Sequence, residues 1–206
     1  MARITKLERQ KGAAGRISVF VDGRFLIGLS VKAVRELELG VGLEVTDKLH
    51  SEIIRTAALE SAIMSLSRRE HSRAELAAKL RQKGYADRIV KSTLDELQER
   101  GYLDDRRFAR LWIERRSVHH PRGRRLLALE LEQKGVSAEL AREALAEDFS
   151  EASEREVLIN LVRKRLRTLS GSDPQVFQRR LLAFLARRGF SYDDIRQVLA
   201  EHFPEL

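Results

Sequence analysis

The 206-residue chain contains no cysteine, which excludes disulfides, thiolate metal sites and cysteine nucleophiles. Its three prolines, Pro121, Pro174 and Pro204, leave long stretches uninterrupted, as suits a mostly helical protein. No apolar run approaches the roughly 18 residues of a membrane span. The N-terminus lacks the apolar centre of a secretion signal. A soluble, cytoplasmic protein is therefore expected. The motifs of the common enzymes are also missing. The five histidines, His50, His71, His119, His120 and His202, show no H-E-x-x-H or other zinc spacing. There is no G-x-x-x-x-G-K-[ST] phosphate loop and no G-x-S-x-G elbow. Gly40-Val-Gly42 lacks the third glycine and the surrounding βαβ unit of a dinucleotide site. The carboxylate pairs Asp104-Asp105 and Asp193-Asp194 each open an expected helix, where they cap it and complement its dipole. These absences predict a binding protein rather than an enzyme, with no catalytic residues, cofactor or metal.

Acidic residues are the minority charge: 31 against 39 basic ones, for a net charge of +8 and a pI near 10.1. This excess favours acidic partners such as nucleic acid. Arginine supplies 30 of the 39. Its guanidinium is the better bidentate phosphate ligand, although a GC-rich coding sequence explains the preference equally well.

The first part of the chain reads as β structure. Arg16 to Val21 and Arg24 to Leu29 flank Asp22-Gly23, a dipeptide favoured in type I′ hairpin turns. A two-residue loop sets Phe20 opposite Phe25 and Val19 opposite Leu26. Both faces are then partly apolar, so either something covers the hairpin or the register differs. Val31 to Leu39 reads as a short helix ending at Gly40. From Thr46, a candidate N-cap, the period changes to that of a helix, carried by Leu49, Ile53, Ile54, Ala57, Ala58, Ala62, Ile63 and Leu66.

An internal repeat organises the rest. Three segments end a helix on a basic residue and a glycine: Lys83-Gly84, Lys134-Gly135 and Arg188-Gly189. Leu80, Leu131 and Leu185 stand four residues before these glycines, and Leu76, Leu127 and Leu181 eight before. Tyr85, Val136 and Phe190 follow directly; Val90, Ala141 and Ile195 lie six after, and Leu94, Leu145 and Leu199 ten after. Each segment is a helix, a glycine C-cap and a second helix. A pair of this size cannot bury its apolar stripe alone, so Thr46–Ser67, Asp105–Val118 and Ser153–Leu169 are expected to supply a third helix to each. The predicted architecture is mainly α, with three tandem three-helix units at 46–104, 105–150 and 151–206 behind an N-terminal hairpin and short helix at 1–45. Such a row presents an extended surface rather than one deep pocket.

The strongest charge feature runs from Arg106 to Arg125. It holds Arg106, Arg107, Arg110, Arg115, Arg116, Arg122, Arg124 and Arg125 against the single acid Glu114. Phe108, Leu111 and Trp112 interleave at helical spacing; a core stripe with arginines on the outer arc is the simple reading, and a base-stacking role for Trp112 the sharper one. A second run, Arg163, Lys164, Arg165 and Arg167, closes a helix, where cations also suit the dipole. These twelve residues are the candidate partner or nucleic-acid contacts. Elsewhere acids and bases alternate, leaving net charges of +3, +1, +2 and +2 over 1–56, 57–104, 105–150 and 151–206. Phosphate binding alone would be more one-sided, so a protein surface suits as partner at least as well as DNA.

Gly101-Tyr-Leu-Asp-Asp-Arg-Arg-Phe-Ala109, continuing to Pro121-Arg-Gly123 and Leu131-Glu-Gln-Lys-Gly-Val136, resembles the RecX regulatory proteins of bacteria. So do Ser72-Arg-Ala-Glu-Leu76 with Lys83-Gly84-Tyr85, and the Val19-Phe-Val-Asp-Gly23 hairpin; the resemblance covers nearly the whole chain. It implies three tandem three-helix units akin to winged-helix domains without the wing. It further implies binding in the groove of the RecA filament on single-stranded DNA, with inhibition of RecA ATP hydrolysis, strand exchange and coprotease activity in recombination, repair and the SOS response. Direct binding to single- or double-stranded DNA is implied as a weaker activity, and a monomer is expected. The third unit departs from the pattern, with a loose Thr168–Gln175 linker and no Tyr-Leu-Asp-Asp equivalent. Two other readings stand beside this one: a sequence-selective regulator of duplex DNA, and a nuclease, for which convergent carboxylates are missing.

Overall fold

A computed structural model describes residues 1–10, 15–167 and 174–205. The chain divides into two compact units, Met1–Leu103 and Asp104–Leu206.

The N-terminal unit opens with three antiparallel strands in sequence order: β1 (Ile4–Arg9), β2 (Arg16–Val21) and β3 (Arg24–Ser30). Asp22 and Gly23 both have positive φ, 47° and 75°, the geometry of the expected turn. Phe20 faces Phe25 as expected, with their rings edge-to-face at 5.8 Å. The next pair differs from expectation. A bulge between Val19 and Phe20 sets Val19 opposite Ile27, so that Leu26 is the extra residue. Beyond it Leu29, opposite Ile17, is fully buried, whereas Phe25 at the hairpin tip is 58% exposed. Strand β1 falls within the first 30 or so residues, which read as β, but its own signal is weak, with only Ile4 and Leu7 as apolar anchors.

Ser30 caps α1 (Val31–Glu36), and Thr46 caps α2 (Asp47–Leu66) by accepting the Leu49 amide at 3.2 Å. Helix α2 covers the sheet. Its first half contributes Ile53 and Ala57 to the sheet core with Ile4, Val19 and Leu29. Its second half contributes Ala62 to a different core, with Leu76 and Leu80 of α3 (Arg73–Gln82) and Val90, Leu94 and Leu97 of α4 (Asp87–Glu99). Tyr85 packs against both. Ile63, placed by the periodicity on the buried face, is 43% exposed.

Among the described residues the elements of the C-terminal unit are all helices: α5 (Asp105–His119), α6 (Arg124–Gln133), α7 (Ala138–Asp148), α8 (Glu151–Leu166), α9 (Pro174–Arg187) and α10 (Tyr192–His202). Helix α5 starts where predicted, with the Asp104 carboxylate accepting the amides of Arg106 and Arg107. Helix α8 begins a little before the predicted Ser153, because Ser150 is its cap. The expected extension to Leu169 and most of the Thr168–Gln175 linker lie outside the described residues. Phe108, Leu127, Leu131, Val136 and Leu145 form one core; Leu158, Leu181, Leu185, Phe190, Ile195 and Leu199 form another, and Val157 touches both.

The three repeat glycines adopt φ of 87°, 79° and 90° at Gly84, Gly135 and Gly189. In each, the amide of the next residue returns to the repeat leucine: Tyr85 to Leu80, Val136 to Leu131 and Phe190 to Leu185, at 3.3, 3.1 and 3.4 Å. That is the 6→1 bond of a Schellman C-cap. The repeat is therefore a conformational device as well as a pattern of apolar residues.

Candidate functional site

The basic stretch lies on α5, the loop after it and the start of α6, and folding sorts its arginines into two groups. Arg106 reaches across to α7, where both its terminal nitrogens meet carboxylates, Glu147 at 3.0 Å and Glu143. Arg116 and Arg122 converge on Glu130 of α6, at 2.7 and 3.3 Å. The indole N–H of Trp112 donates to the same carboxylate at 3.0 Å. The Trp112 ring is stacked on Phe108 and carries Arg116 at 4.6 Å and Lys134 at 5.1 Å over its face. Its faces thus carry this chain's own side chains, and it packs partly buried on the core of Phe108, Leu127 and Leu131. Arg124 turns toward α8, with its amide donating to Glu154 at 2.7 Å and its side chain to the same carboxylate and the Phe149 carbonyl. Burial raises the Glu154 carboxyl above its ordinary pKa, against the opposing pull of Arg124.

Arg107 is half-buried beside its own helix cap. Arg110, Arg115 and Arg125 are exposed and have no ion-pair partner among the described residues. The second basic run ends α8. Arg163, Lys164 and Arg167 are exposed, while the Arg165 guanidinium lies 5.0 Å from the Phe184 ring of α9. On the same ring, also at 5.0 Å, lies Arg188, a residue that reading for dense charge runs passes over. Its only sequence signal is its place before a repeat glycine.

Exposed Arg110, Arg115 and Arg125 thus stand among arginines already neutralised by Glu130, Glu143, Glu147 and Glu154. The result is a mixed-charge surface on a rigid helical scaffold. Among the described residues no helix is long and apolar enough to cross a membrane.

Where these elements fall along the chain is matched by known proteins. Residues 2–46 match the RecX N-terminal domain, 58–97 the first RecX three-helix domain, 104–145 the second and 153–199 the third. A regulatory protein RecX of Mycobacterium sp. (strain KMS) is 44% identical over 131 residues, 61% of this chain and 70% of that protein. The regulatory protein RecX of Clostridium botulinum (strain Alaska E43 / Type E3) is 30% identical over 211 residues, 98% and 96% of the two chains. Two crystal structures share the fold. A regulatory protein RecX gives a TM-score of 0.65 at 20% identity, over 98% of this chain and 100% of that one. RecX from Lactobacillus salivarius gives 0.66 at 21% identity, over 73% and 97%. With four consecutive domains matched and a relative aligned end to end, this chain belongs to the RecX family of regulatory proteins.

Proposed function

We propose that this chain is a non-catalytic regulator that binds the RecA filament on single-stranded DNA and inhibits RecA ATP hydrolysis, strand exchange and coprotease activity. It acts in the cytoplasm as a monomer, and bare DNA is its weaker ligand. Residues 46–104, 105–150 and 151–206 are its three repeated units, behind an N-terminal module at 1–45.

The observation that carries this reading is the sorting of the arginine stretch. Of its eight arginines four are held by carboxylates and three others are exposed, giving mixed charge rather than a continuous basic stripe. Mixed charge suits a protein partner that itself lies on nucleic acid, because complementary potentials set register and specificity. Repetition of a similar unit adds avidity, so modest contacts at each could combine into tight binding to a polymer of identical subunits.

Titrating the chain onto preformed RecA filaments while following DNA-dependent ATP hydrolysis tests the proposal. The rate is expected to fall at concentrations where bare DNA binding is weak. Arg110→Glu with Arg115→Glu is expected to raise the half-inhibitory concentration about tenfold with unchanged circular dichroism. An unaffected ATPase combined with sequence-selective duplex binding would point instead to a regulator of duplex DNA.

A further inference from the structure

Between the end of α5 and helices α8 and α9, within the C-terminal unit, lies a cleft of about 590 Å³. That size is in the range of small-ligand sites. Its floor is apolar, made by Pro121, Val157, Leu161 and the Phe184 ring. Lys164, Arg165, Arg188, His119 and His120 stand around it, and no described lining residue carries a carboxylate. Elsewhere on this unit Arg106, Arg116, Arg122 and Arg124 meet carboxylates, so this concentration of one sign stands out.

The cations here are positioned. Arg165 and Arg188 both hold their guanidinium carbons 5.0 Å from the Phe184 centroid, and Arg188 donates to the Pro121 carbonyl at 3.3 Å. Burial, followed by the nearby charges of Arg122 and Arg165, pulls the Arg188 pKa below its ordinary value. An anion entering the cleft would relieve that crowding. Lys164 is exposed and lines the same cleft as Arg188, whose apolar residues offer a surface on which an uncharged, flat group could rest.

We infer that this cleft binds a nucleoside phosphate, with the phosphate at Lys164 and Arg188 and the base against the apolar floor beside Phe184. A bare phosphate would leave that floor uncovered. A run of acidic side chains, which arginine clusters also bind, would likewise leave that floor uncovered. Planar guanidinium and aromatic surfaces are the usual partners of an unstacked base. The phosphate could belong to a single-stranded nucleic acid or to a free nucleotide. The inference rests on the reading that this chain works at a DNA-bound filament, and it assigns a place for direct contact that the arginine stretch on α5 does not supply.

The test uses the full chain and fluorescence anisotropy of a labelled dT oligomer, with ATP, inorganic phosphate and poly-glutamate as competitors. Lys164→Gln is the primary variant, since its side chain is exposed and outside the core; Arg188→Gln is the second, and Arg88→Gln in the other unit controls for loss of charge alone. Each cleft variant is expected to weaken dT binding about tenfold, and to reduce the slope of log K against log salt by about 0.7 for each phosphate no longer neutralised. Displacement of dT by ATP but not by inorganic phosphate would assign the site to free nucleotides; failure of both to displace it would assign it to the polymer. Losses no larger than that of Arg88→Gln, or displacement by poly-glutamate as effective as by unlabelled dT, would overturn the inference. A parent chain that binds dT but leaves RecA ATPase unchanged would instead refute the proposed function and leave the cleft standing.

Discussion

Replacing Gly123 by alanine should open the seam between the second and third three-helix repeats. Gly123 is buried, and its amide donates to the Arg188 carbonyl at 2.8 Å. A β-carbon on it would stand 2.4 Å from the Gly189 carbonyl oxygen, 2.5 Å from its carbon and 2.7 Å from the Phe190 nitrogen. All three are backbone atoms of a left-handed turn, so no side chain can swing away. The backbone at Gly123 itself, φ −77° and ψ 161°, is open to alanine, and a glycine-to-alanine change at such a site would otherwise stabilise by roughly 0.4–1 kcal/mol. The collision therefore decides the sign. Overpacking costs about 1–3 kcal/mol, and stretching the Gly123–Arg188 hydrogen bond adds about 0.5–1.5 kcal/mol. A net loss of about 2–3 kcal/mol follows, which for a unit near 100 residues lowers the melting temperature by on the order of 10 °C. Thermal melts give the magnitude, and amide exchange gives the location: protection should fall most at the α6 N-terminus and at the Gly189 turn. Gly84→Ala serves as contrast, since nothing lies within 4 Å of its β-carbon and only its φ of +87° resists the change. Its cost should be about 1–2 kcal/mol. A Gly123→Ala protein that melts at or above the parent would refute the close approach.

Glu130→Ala removes the acceptor shared by Trp112, Arg116 and Arg122; a loss of about 2 kcal/mol in urea unfolding is expected, together with a shift in the emission of the sole tryptophan. Thr93 is buried on α4, and its hydroxyl has no hydrogen-bond partner among the described residues; Thr93→Val should raise stability by about 1 kcal/mol by the same measurement. His71 is buried, and burial, then Arg69 and Lys79, lower its pKa despite the nearby Glu75. The unfolded chain thus takes up a proton near 6.5 that the folded chain refuses until lower pH, so stability should fall as pH drops below about 6.5. His71→Gln should flatten the dependence of the urea midpoint between pH 7.5 and 5.5; an equal slope in the variant would exclude His71 as its source.

The repeated glycines were legible because a C-cap imposes both a backbone geometry and fixed apolar offsets, and each leaves a mark in sequence. Leu80, Leu131 and Leu185, named from those offsets, are all at most 1% exposed. The bulge at Val19 left no such mark, since Phe20 and Phe25 pair the same way with or without it. The arginine stretch was visible as a charge run, but its division was not. Glu143 and Glu147 lie 37 and 41 residues from Arg106, and only the packing of α7 on α5 brings them together. The cleft beside Phe184 was hidden for the same reason: its basic groups come from α8, from the turn after α9 and from His119 and His120 at the end of α5.

Helix α2 has one further implication. Because Ile53 and Ala57 belong to the sheet core and Ala62 to that of α3 and α4, a chain beginning at Thr46 would keep every residue of the first repeat yet strip one side of its longest helix. The first 45 residues are thus a cover that the repeat cannot shed without exposing an apolar strip. The hairpin and the first three-helix repeat should consequently unfold as one cooperative block, with matching exchange protection at Val19 and Leu76.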